Sequence, residues 1–175
     1  MEYKLKSISK AGIAEATAKV ELYRYLNEPE EAESICRDIL AIDPQHQLAL
    51  RLLGLTITDQ FVGGSPDRYR EVEETFKKLS ERYERLYYTG ILYERRARAQ
   101  LRTGQPPHTV LPLFERALEC FGEAEKICPA GNDDAILRWN RCVRLLRTPG
   151  YVWEEEIAEF DAHDMPPGRR VQPPR

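Results

Sequence analysis

Three histidines and four cysteines are the residues of this chain best suited to nucleophilic, acid–base or metal chemistry. His46, His108 and His163 lie far apart, and none stands at a ligand spacing from another His, Cys or acid. Cys36, Cys120, Cys128 and Cys142 match neither a zinc CxxC pair nor a compact disulfide framework, so they read as reduced thiols packed in helices. Gly63-Gly64 precedes a helical stretch as a phosphate loop would, but no Lys-Ser or Lys-Thr follows. The pair reads instead as a turn, with Ser65 or Asp67 as N-cap and Pro66 in the first turn. HExxH, GxSxG and GxGxxG are absent. Catalysis needs groups that converge, and no convergence is predicted. The expectation is a protein that is not an enzyme, with no catalytic residue, no metal and no cofactor.

The charged residues suggest binding chemistry. Arg138, Arg141, Arg144 and Arg147 recur every three residues, so neighbours share a helix face and form a basic strip. Glu154, Glu155, Glu156, Glu159, Asp161 and Asp164 follow closely, a complementary acidic block that is expected to fold back toward the strip and compete with an acidic partner. Tyr87, Tyr88 and Tyr93 alternate with Arg85, Arg95, Arg96 and Arg98, a mixture favoured in interface hot spots, although Tyr93 falls at a core position.

These residues sit in a chain of 175 residues, enough for one domain with a real core. Lys and Arg total 26 against 29 Asp and Glu, a net charge of -3 that repels a phosphate backbone, so nucleic acid is not an expected partner. The opening MEYKLKSISK has no apolar run for a secretory signal, and no later stretch approaches membrane-spanning length. A cytoplasmic address without a membrane partner is expected.

The elements that must position the charges are helices. Ile13, Ala16, Val20 and Tyr23 recur at helical spacing, LNEPEE breaks the pattern with Pro29 in a first turn, and a second helix runs through Ala32, Cys36, Ile39 and Leu40 to Asp43-Pro44. The series Ala32, Cys36, Ile39, Pro44 recurs with identical intervals as Ala117, Phe121, Ala124, Pro129, and partly as Val72, Phe76, Leu79. Tyr23, Ile57 and Tyr93 mark a shared register in the first helices, with Gly54 and Gly90 three residues earlier and Val20 departing from that pattern.

On Tyr23, Ala32, Pro44 and their recurrences, the chain resembles the tetratricopeptide repeat (TPR) family. The resemblance implies an all-α fold, a right-handed α-solenoid of about three antiparallel helix pairs plus a C-terminal capping helix or helix pair. The pairs are expected near 11–43, 45–82 and 84–128, after an extension over 1–10. Capping helices are expected at 132–147, with Asn132 or Asp133 as N-cap, and at 152–160, before a Pro-rich tail over 161–175. Extra residues around FVGGSPD and LRTGQPPHT are expected to project from one edge of the stack.

The resemblance also implies a concave groove that binds a peptide or partner protein. The family's groove positions fall on Thr17, Glu21, Arg24 and Tyr25, on Arg51, Thr58 and Asp59, on Tyr87, Glu94 and Arg95, and on Asn140 and Arg144. Guanidinium and amide groups suit an extended, acidic peptide. Asn140 with Arg95 or Arg144 is the only echo of the carboxylate clamp found in some members. The expected role is an adaptor or scaffold, monomeric. The alternative is a structural subunit of a permanent oligomer or larger assembly.

Overall fold

Proline starts the helices at three places where the chain turns back on itself. The computed structural model describes residues 2–62, 65–149 and 151–153, and among these it contains seven α-helices and no strand. A 3-10 turn at Lys10–Gly12 leads into α1 (Ile13–Tyr25), α2 (Pro29–Ile42), α3 (Gln47–Asp59), α4 (Pro66–Lys77), α5 (Arg82–Arg102), α6 (Pro107–Glu125) and α7 (Asp134–Leu146). Helices α2, α4 and α6 each begin on their proline, whose missing N–H costs nothing in a first turn. Helices α1 and α5 end alike, on a left-handed residue: Asn27 at φ 61° and Gly104 at φ 85°. Beyond these, Glu28 N–H donates to Tyr23 O at 2.8 Å and Gln105 N–H to Gln100 O at 3.0 Å, which satisfies carbonyls the helix leaves free.

Substantial contacts among the described residues run between helices adjacent in sequence and between successive odd helices, α1 with α3, α3 with α5 and α5 with α7. Within the second and third pairs, α3 with α4 and α5 with α6, the helices come close because a glycine opens the way. A Cβ on Gly54 would stand 2.1 Å from Phe76 Cε1, and one on Gly90 would stand 2.6 Å from Phe121 Cε1, so each phenyl ring occupies the space a side chain would need. Val20 and Cys36 hold the corresponding places in the first pair, both with no exposed surface. The volumes are exchanged there, a larger residue on the first helix facing a smaller one on the second. Val20 is therefore consistent with the shared register.

Four sequence expectations need correction or completion. The residues around LRTGQPPHT do not form a projecting insertion. Only 103–106 separate the helices, and the surplus lengthens α5 to 21 residues and α6 to 19. The reason is that the surplus is itself amphipathic: Ala97, Ala99, Val110 and Phe114 are all buried. After α3 the chain likewise folds inward at Phe61, which is 3% exposed and packs edge-on against Tyr69 with ring centroids 4.7 Å apart. Helix α5 begins at Arg82, two residues ahead of the expected 84, as Arg85 donates to Leu79 O at 2.6 Å and Ser80 O at 2.7 Å across the connection. At α7, Asp133 is the N-cap by position, while the Asn132 side chain accepts from Asp134 N–H at 2.9 Å. The acidic block, most of the expected helix at 152–160 and the tail at 161–175 lie outside the described residues.

Candidate functional site

The residues with the most chemical promise are placed by helix starts and burial. His46 caps α3, its Nδ1 accepting from Ala49 N–H at 3.1 Å, and His108 lies in the first turn of α6. His163 lies outside the described residues. Burial pushes the Cys36 and Cys142 thiols up to about 12 and raises Cys120 as well, which leaves these sulfurs protonated and poor nucleophiles at neutral pH. Among the described residues, no group of three or more His, Cys, Asp or Glu is placed to hold a metal ion. No helix among them is long and apolar enough to cross a membrane.

Charge is concentrated where the odd helices meet. Asp59 near the end of α3 binds Arg24 of α1 at 2.8 Å and also Arg95 of α5. Arg95 donates further to Thr58 Oγ1 at 2.6 Å and Leu55 O at 3.1 Å. One carboxylate thus ties three helices together. Arg51 on α3 binds Glu84 on α5 at 2.8 Å and meets the Tyr88 hydroxyl. Glu94 on α5 is 1% exposed and faces Arg141 at 3.1 Å, Arg138 at 3.3 Å and Arg98 at 3.5 Å, which joins α5 to α7. Arg138 also meets the Tyr87 hydroxyl. Tyr87 in turn stacks on Tyr83, with centroids 5.8 Å apart.

The predicted site residues therefore divide. Arg24, Asp59 and Arg95 come together, as do Tyr87 and Glu94 with the arginines of α7. Arg51 stands apart with Glu84. Thr58, 3% exposed, and Glu94 are corrections to the expected groove: both are buried and act on neighbouring arginines, because a partner cannot reach them. Thr17 is buried too, its hydroxyl donating to Ile13 O at 2.8 Å. Glu21 and Tyr25 are exposed on α1, Tyr25 at 88%. Asn140 and Arg144 are exposed on α7, and neither is brought to Arg95, whose guanidinium is occupied by Asp59. The clamp-like pairing of Asn140 with Arg95 is therefore not assembled.

Sequence reasoning missed Arg102 and placed Arg98 among the interface arginines without assigning it to the groove. With Arg95 they recur at i, i+3 and i+7 on one face of α5, a periodicity that could have found them. A recess of about 180 Å³ is lined by Thr58, Asp59, Arg95, Arg98 and Arg102. Burial lowers Arg98 below the usual arginine range, Arg141, Arg102 and Arg138 press in the same direction, and Glu94 opposes them. Also missed was a second cluster, between α2 and α4. There Glu33 accepts from Arg37 at 2.5 Å, Arg68 at 2.6 Å and Gln60 at 2.7 Å, and Arg37 reaches Glu71 at 2.7 Å. Burial pushes the Glu33 carboxyl up, but hydrogen bonds from Arg68, Arg37 and Gln60 outweigh it and hold the group at about 2. No protein-family model matches the chain, and no curated protein matches it in sequence.

Proposed function

We propose that the chain is a non-catalytic adaptor or scaffold: a TPR-like, right-handed solenoid of three helix pairs closed by α7, which holds a peptide or partner protein in the groove lined by its odd helices. The observation that carries this reading is the serial contact of α1, α3, α5 and α7, with polar side chains continuing from Arg24 to Arg144 along that row. Stacked hairpins bury one core and leave their first helices lining a shared surface, and such surfaces recognise extended segments. The recurring glycine–phenylalanine approach at Gly54 and Gly90 supports the repeat register. The cytoplasm suits four cysteines that are all free.

The test is affinity purification with the full chain as bait, followed by direct binding of the recovered partner to variants. Tyr25→Asp and Arg144→Glu on the odd-helix row should each weaken binding at least about tenfold, since hot-spot aromatics and arginines dominate such interfaces. Arg70→Glu, on α4, should leave it unchanged. The reverse pattern would refute groove binding.

A subunit of a permanent assembly is favoured by one observation: Leu137 at 63%, Val152 at 51%, Tyr151 at 42% and Trp139 at 38% remain exposed around α7. Light scattering over a concentration series decides, since a stable dimer throughout would favour assembly over the adaptor.

A further inference from the structure

Charge along the odd-helix row is not evenly balanced. Toward the start of α5, Arg51 is neutralised by Glu84, and the recess there also takes in Glu81 and Asp134. In the middle, Asp59 is shared by Arg24 and Arg95. Toward the α7 end, Arg98, Arg138 and Arg141 share Glu94, whose 1% exposure gives it almost no presence at the surface, and Arg102 and Arg144 have no carboxylate partner among the described residues. Three guanidiniums thus stand around one buried carboxylate, with Arg102 and Arg144 near the same end of the row, and like charges gathered there repel unless an outside anion joins them.

The geometry points to the α5–α7 end of the row as an acceptor for an Asp/Glu-rich segment of a partner protein, an inference that rests on the groove reading above. Among the described residues, Arg102 spends one nitrogen on Phe61 O at 3.3 Å and Arg98 reaches only Glu94, at 3.5 Å, so both forks keep donors for carboxylate oxygens. Beside Arg141 and Arg144, an open recess of about 570 Å³ includes Leu137, Leu145 and Tyr151. An apolar side chain flanking the acids would be covered there. The site takes side-chain carboxylates and does not require a free chain terminus.

The experiment measures fluorescence anisotropy of labelled, amidated peptides with the full chain. The probes are an Asp/Glu-rich peptide with one Leu, its Asn/Gln counterpart, a phosphoserine peptide with no other acids, a single-stranded oligonucleotide, and a peptide copying residues 154–164. The acidic peptide should bind and its neutral counterpart should not. Binding should fall with added salt, and Arg98→Gln and Arg102→Gln should each weaken it by about tenfold, while Arg70→Gln has no effect. Where Arg98→Gln loosens α7, Arg102→Gln keeps the test, since that exposed side chain has no ion pair among the described residues and its hydrogen bond goes to a backbone carbonyl. Equal binding of the neutral peptide overturns the inference, as does binding of the phosphopeptide alone or tighter binding of the oligonucleotide. Tighter binding of the 154–164 peptide overturns it too, by making the chain's own acidic block the occupant. If the acidic peptide fails while the purified partner still depends on Tyr25, only this inference falls. If the partner ignores Tyr25 and Arg144 alike, the groove reading falls as well.

Discussion

Replacing Glu94 with Gln removes the charge of a side chain that is 1% exposed and keeps its shape. Three guanidiniums lose their shared anion, and the amide oxygen that remains can satisfy only part of what the carboxylate accepted. Breaking a fully buried ion pair costs roughly 3–5 kcal/mol. Here Arg98, Arg138 and Arg141 keep 32%, 29% and 51% of their side-chain surface in solvent, so each can recover hydration. The expected loss is accordingly about 2–3 kcal/mol, or a fall in Tm of about 5–10 °C for a chain of this size. The damage should be local, because among the described residues the substantial helix contacts of α7 are with α6 and, more thinly, α5. Hydrogen exchange should therefore rise across 134–146 and stay unchanged in α1 and α2. Arg138→Gln should cost less in the Glu94→Gln background than in the parent chain, since the partner is already gone. A Tm within about 1 °C of the parent would refute the reasoning. So would equal costs of Arg138→Gln in the two backgrounds. The same change should tighten the acidic peptide, which couples lower stability to higher affinity.

Gly54→Ala places a Cβ 2.1 Å from Phe76 Cε1 and should cost about 1–3 kcal/mol by urea unfolding; Gly54→Val with Phe76→Cys, which copies the Val20 and Cys36 arrangement, should be more stable than Gly54→Val alone. Glu33, held at about 2 against an ordinary 4.5, adds stability that is fully present above the unfolded value and is lost as pH falls through the folded one. Half-exposed Arg37 limits that contribution to about 2 kcal/mol, so Glu33→Gln should flatten the stability profile between pH 4.5 and 2, and an unchanged acid limb would contradict the network. Cys36 and Cys142 should resist alkylation at pH 7 in the folded chain and react once it is denatured; rapid native labelling would show that their helices open readily.

The helices were legible because their signals are local. Prolines at positions 29, 66 and 107 open α2, α4 and α6, and the apolar series through Ala32, Cys36 and Ile39 predicts the face that is buried. The surplus in the third pair was misjudged because Gly104, Pro106 and Pro107 signal a break, and a break says nothing about how far the helix on either side continues. Pairing between charges was not legible at all. Arg24 and Asp59 are 35 residues apart and Arg141 and Glu94 are 47 apart, so only the superposition of successive helices brings them together. Sequence register marked Glu94 as groove-facing. Its burial follows from the arginines of α7 closing over it, which no feature of α5 reveals.

That closure bears on how the row can recognise anything. Side chains committed to holding helices together are poor reporters of a partner, because engaging them would first break an internal pair. Asp59 and Glu94 belong to this class: each ties neighbouring odd helices, and substituting either should change stability before it changes affinity. Arg102, Arg144 and Tyr25 form the other class, exposed and without a carboxylate partner among the described residues. Recognition should therefore concentrate on residues the ion pairs leave over, and their surplus is cationic toward α7. A partner with acids at one end and an aromatic or aliphatic contact for Tyr25 at the other would be read in one direction only. Reversing the order of such a peptide, at constant composition, should weaken binding about tenfold if both ends contribute. Equal affinity for the two orders would mean that charge attracts the ligand without orienting it.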